Sequence, residues 1–113
     1  MDEVAVRIFD FVKDMGMEQK EFARILGTTD KKVSAWKTGR SKTYRDQIAE
    51  IAEVLNTNTE YLLTGNGPKT RDPAGREASE VRQEFMELFS RLSPEEQARE
   101  IAYLRERVNG SGK

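Results

Sequence analysis

Gln19-Lys20-Glu21-Phe22-Ala23-Arg24-Ile25-Leu26-Gly27-Thr28-Thr29-Asp30-Lys31-Lys32-Val33-Ser34-Ala35-Trp36-Lys37-Thr38-Gly39 reads as two short helices joined by a tight turn. The first is expected from about Glu18 to Leu26, burying Phe22, Ala23 and Leu26, and Gly27 supplies the positive φ that the turn needs. Thr29 is a good N-cap for the second, which ends near Thr38-Gly39. Val33 and Trp36 then share its inner face, three residues apart, so Trp36 is assigned to packing. Lys31, Lys32 and Ala35 point outward.

Between Lys31 and Arg45 stand Lys31, Lys32, Lys37, Arg40, Lys42 and Arg45 with no acid, in a chain of 113 residues whose net charge is only -1. Such a cluster alone reads as a solvated face. On the second helix of a tight helix pair, it suits a DNA groove. Charged residues make up 35% and hydrophobic ones 36%, the composition of a folded, helix-rich protein with room for one small domain and an extension. No run approaches the roughly 18 apolar residues of a membrane span. The start Met1-Asp2-Glu3 lacks the basic and apolar regions of a signal peptide, so a cytoplasmic location and no membrane association are expected. The absence of Cys and His removes disulfides, zinc sites and the commonest general base, so neither a cofactor nor enzymatic activity is expected. Ser34-Ala35-Trp36-Lys37 fits the S-x-x-K nucleophile pattern, but no S-D-N or K-T-G follows to support it.

Upstream, Asp2 can cap a helix that places Val4, Ile8, Phe11, Val12 and Met15 on one face and ends at Gly16. Downstream, Arg45 to Leu55 repeats Ile48, Ile51, Ala52 and Leu55 at helical spacing, and Thr57 or Asn58 can cap a short fifth helix through Tyr61, Leu62 and Leu63. The first domain is expected over residues 1–65. Residues 66–75, with two Gly and two Pro, follow as a linker. Ala78, Val81, Phe85, Leu88 and Leu92 alternate by three and four, the seam of a helix that packs on another helix. Ser93-Pro94-Glu95-Glu96 restarts the chain with a capping box, and Ala98, Ile101, Leu104 and Val108 line the last helix. Residues 76–109 thus form a helical hairpin and 110–113 a flexible end.

The stretch from Gln19 to Leu63 resembles the helix-turn-helix domain of the Cro/CI-type family of bacterial and phage transcription regulators, through Gln19, Ala23, Leu26-Gly27, Val33, Trp36, Gly39, Ile51-Ala52 and Tyr61-Leu62-Leu63. The resemblance implies an all-α fold, a five-helix lambda-repressor-like DNA-binding domain followed by the linker and the hairpin. It implies that Gln19 meets a phosphate and that Asp30, Lys31, Lys32 and Ala35 meet base edges. The loop Thr38, Gly39, Arg40 and Lys42 would hold the DNA backbone through amides and basic side chains, and Arg45, which closes the basic window, is a further candidate for the DNA backbone. Glu18, Lys37 and Thr43 depart from the residues frequent in the family.

A hairpin this short cannot bury both apolar faces alone, so it docks on the first domain, on a second copy or on another protein. Val81, Phe85, Leu88, Leu92, Ile101 and Leu104 are the candidates for dimerisation. Two functions are open on this reading. One is a phage or mobile-element repressor binding a paired half-site operator in double-stranded DNA as a homodimer. The other is an antitoxin or developmental switch whose hairpin captures a protein partner, such as an antirepressor.

Overall fold

Asp2 starts the first helix as expected: its Oδ1 accepts the Val4 amide at 2.8 Å, and α1 runs Glu3–Asp14 in the computed structural model, which describes residues 2–111. The order continues α2 (Gln19–Leu26), α3 (Asp30–Thr38), a 3-10 helix (Thr43–Gln47), α4 (Ile48–Val54), α5 (Thr59–Thr64), α6 (Ala78–Ser90) and α7 (Pro94–Ser111). All regular structure among the described residues is helical. Val4, Ala5, Ile8 and Val12 of α1 meet Phe22, Ala23, Val33, Trp36, Tyr44, Ile51, Ala52, Leu55 and Leu62 in one core. Each large apolar side chain taken fully out of water there contributes about 1.5–3 kcal/mol.

The turn between α2 and α3 forms as the sequence specifies. Gly27 sits at φ 81°, and its amide returns to Ala23 and Arg24 carbonyls. Gly39 closes α3 at the same φ. A side chain at either position would strain a left-handed backbone. The Thr29 hydroxyl caps α3 by accepting the Lys32 amide at 3.1 Å. Glu18, by contrast, precedes α2 without a side-chain cap.

Several expectations change. Met15 is half exposed, because α1 ends at Asp14, and Met17 packs against the core instead. The single helix expected from Arg45 is a 3-10 turn followed by α4, the break lying at Gln47 (φ -119°, ψ 19°). The turn carries Tyr44 into the core, edge-on to Trp36 with ring centroids 6.2 Å apart.

The expected linker, 66–75, is folded onto the first domain. Buried Asn58 donates through Nδ2 to the carbonyls of Pro68 (2.8 Å) and Thr70 (3.0 Å), and its Oδ1 accepts the Ala78 amide at 2.6 Å. Buried Thr57 donates its hydroxyl to the Lys69 carbonyl. Arg71 donates Nε to the Thr57 carbonyl at 2.8 Å and pairs with Glu77 at 3.3 Å. Neither Thr57 nor Asn58 caps α5 with its own side chain. Glu77 does so, accepting the Thr59 amide at 3.0 Å and the Thr59 hydroxyl. The residue before α6 therefore caps α5, while the residue before α5 caps α6. The chain divides into two compact units between Ser79 and Glu80, so the first extends beyond the residue 65 expected from sequence.

In the second unit the capping box forms, with the Glu96 amide donating to Ser93 Oγ (3.3 Å) and the Ser93 amide to Glu96 Oε1 (3.0 Å). The Ser93 amide and hydroxyl hold the Glu96 carboxyl below its ordinary value. Gln97 Nε2 donates to the Phe89 carbonyl at 2.9 Å, tying α7 to the end of α6. Residues 110 and 111, expected in a flexible end, continue α7, while 112 and 113 lie outside the described residues.

Candidate nucleic-acid interface

α3 buries Val33 and Trp36 and leaves Asp30, Lys31 and Lys32 exposed at its N-terminal end, with Ala35 half-buried one turn on. The packing of Trp36 sets this orientation. The side chain is 2% exposed, and its Nε1 donates to Thr43 Oγ1 at 2.8 Å. Thr43 Oγ1 in turn lies 3.0 Å from Ser41 Oγ. A chain of hydrogen bonds thus fastens the loop after α3 to the core residue that orients the helix.

Asp30 is already engaged, since Gln19 Nε2 donates to its Oδ1 at 2.9 Å and to its carbonyl at 3.4 Å. The first residue of α2 is clamped to the first residue of α3. The loop amides are engaged too. Gly39 donates to Trp36, and Arg40 (2.9 Å) and Ser41 (3.2 Å) both donate to the Ala35 carbonyl. The Thr38 hydroxyl donates to the same carbonyl at 3.3 Å. These groups close the end of α3, so the exposed basic groups of the loop are the side chains of Arg40 and Lys42.

Arg45 stands apart from the other bases. Its Nη2 donates to Asp2 Oδ2 at 2.7 Å, and its guanidinium carbon lies 5.7 Å from the Tyr44 ring centroid. The Val4 amide, the Tyr44 hydroxyl and the Arg45 guanidinium together hold the Asp2 carboxyl at about 2. Burial, then Asp2, pushes the Tyr44 hydroxyl up, although that buried oxygen makes no hydrogen bond of regular geometry. The Asp2–Arg45 pair spans 43 residues, and no local sequence signal announces it. It borders a recess of about 670 Å³ whose wall also includes Gly39, Ser41 and Lys42.

This arrangement holds a basic helix face and a basic loop on a rigid frame, as phosphate and groove contacts require. The bacteriophage CI repressor helix-turn-helix domain matches residues 8–70, more than half of the chain. The chain belongs to that family. The HTH-type transcriptional regulator DicA of Escherichia coli (strain K12) is 27% identical over 106 residues, covering 89% of this chain and 77% of DicA. No solved structure matches the chain. The first unit is thus a CI-type domain of the DNA-binding regulator class. No helix among the described residues is long and apolar enough to cross a membrane, and no acidic cluster there could hold a metal ion.

Proposed function

We propose that the chain is a sequence-specific repressor of phage or mobile-element type that acts in the cytoplasm and binds a paired half-site operator as a homodimer. The exposed face of α3 carries this reading: Lys31 and Lys32 stand free of the core at the helix end that enters a major groove in this fold. Either lysine can donate to guanine O6 and N7, while Arg40 and Lys42 suit phosphates. Asp30 can accept from cytosine N4 only through the carboxylate capacity that Gln19 leaves open.

The hairpin supports the dimer. Phe85, Phe89, Ile101, Leu104 and Val108 line an apolar groove of about 450 Å³, and Phe85 stacks on Phe89 at 5.5 Å. Phe85 is 45% and Leu88 53% exposed, whereas Val81, Leu92 and Leu104 are half-buried. An exposed apolar patch on a small hairpin calls for a cover, and a second copy covers it symmetrically while supplying the second recognition helix. An antirepressor or toxin seated in the same groove is the other reading.

Selection of bound duplexes from a random pool tests the proposal. The expected outcome is a site with two related halves, centred about one DNA turn apart. Lys31→Ala or Lys32→Ala should then cost about 1–3 kcal/mol and relax one base position. Arg40→Ala or Lys42→Ala should weaken all sequences and reduce the salt slope by about 0.9 each. No sequence preference at low salt would refute sequence-specific binding. Sedimentation showing a monomer on operator DNA would transfer the hairpin to a protein partner.

A further inference from the structure

We propose that Asp2 acts as an internal phosphate mimic that holds Arg45 back from DNA and so lowers the affinity of the chain for every sequence. This rests on the DNA-binding reading above and adds a restraint built into the same interface. Among the described residues, the other members of the basic window, Lys31, Lys32, Lys37, Arg40 and Lys42, enter no salt bridge. Arg45 does, through a 2.7 Å contact to a carboxylate. A carboxylate and a phosphate present a guanidinium with the same kind of acceptor, so the two compete for its donors.

The competition is real because Arg45 is reachable and Asp2 is fixed. The Arg45 side chain is 50% exposed and shares the wall of the recess with Lys42 and Ser41 of the loop assigned to the DNA backbone. The Asp2 side chain is 17% exposed, and its two oxygens divide their roles. Oδ1 caps α1 through the Val4 amide while Oδ2 takes Arg45, so the carboxylate cannot follow the arginine toward DNA without uncapping the helix. A phosphate must therefore take Arg45 from Asp2. Of the six positive charges in the window, one is answered within the fold.

Asp2→Asn separates the two roles atom by atom. The remaining Oδ1 can still cap Val4, and the amide nitrogen that replaces Oδ2 cannot accept from Arg45. The test measures binding of the full chain to labelled duplexes, one selected and one random, across a salt series. One added phosphate contact steepens the slope of log K against log salt by about 0.9, which, for a contact that contributes nothing at about 1 M salt, corresponds to about eightfold tighter binding at about 0.1 M salt and about fourfold at about 0.2 M. The gain should be equal on both duplexes, because a phosphate contact carries no sequence information. Asp2→Asn/Arg45→Ala should lose the gain. Glu53→Gln, which removes an exposed negative charge from α4, should leave the slope unchanged.

If Asp2→Asn binds more weakly, or with an unmoved slope, Asp2 aims Arg45 or ignores DNA and the proposal is overturned. A gain that survives in the double variant, or that Glu53→Gln reproduces, overturns it as well. A wild-type chain that binds neither duplex at low salt would sink the DNA-binding reading itself, whereas wild-type binding with an unresponsive Asp2→Asn sinks this inference alone.

Discussion

Replacing Asn58 by Ala should damage the first unit far more than its place in a polar turn suggests. The side chain is 1% exposed and makes three hydrogen bonds, to the Pro68 and Thr70 carbonyls and from the Ala78 amide. At about 0.5–1.5 kcal/mol net for each, the loss comes to about 3 kcal/mol, with a further cost where the stranded groups stay dry. For a unit of this size that lowers the melting temperature by roughly 12–24 °C. The damage should be local first. Lys69, Arg71 and Arg76 are trypsin sites within the segment that Asn58 pins, so wild-type protein should resist cleavage there and Asn58→Ala should be cut rapidly. Thermal melts read the first effect, and timed digestion with mass analysis the second. A variant that melts within about 2 °C of wild type and is cut no faster would show that the segment is not held by Asn58.

Other expectations follow from the same geometry. Trp36→Ala should cost about 3–5 kcal/mol in urea melts through lost burial and a cavity; normal stability with lost DNA affinity would refute the packing role. Phe85→Glu in the full chain should sediment as a monomer and bind the operator at least about tenfold more weakly, since binding of the second half-site is no longer intramolecular; a persisting dimer would place the interface elsewhere. The Asp2 carboxyl lies at about 2, below its ordinary 3.8, so its contribution to stability is present above pH 4 and is lost as pH falls toward 2. Asp2→Asn should therefore flatten that part of the acid melting profile, and an unchanged profile would show that the ionised Asp2 carboxylate adds no stability.

Much of the fold in both units was legible because its signals are local. Asp2, Thr29 and Ser93 cap the helices they precede, Gly27 and Gly39 end the helices they follow, and Val33 with Trp36 marks the buried face of α3. Where the reading failed, the deciding partner is distant. Asn58 looks like an ordinary helix cap until Pro68, Thr70 and Ala78 are brought to it. Gly67 and Pro68 suggest a loose connection because nothing in their vicinity reveals that Thr57 and Asn58 donate to that segment or that its own Arg71 donates back to the Thr57 carbonyl. In the interface, the outward residues of α3 were readable from helical spacing. The pairing of Arg45 with Asp2 and of Gln19 with Asp30 was not, since a basic or amide side chain carries no mark of which acceptor the fold will offer it.

Trp36 is the single tryptophan of the chain and lies in the core of the first unit, edge-on to Tyr44. Its emission is therefore an intrinsic optical tag for that unit. Far-ultraviolet circular dichroism sums helices from both units. Denaturation followed in parallel by the two signals resolves the molecule into its parts without labels: coincident curves mean that head and hairpin melt as one cooperative body, and separated curves give each its own midpoint.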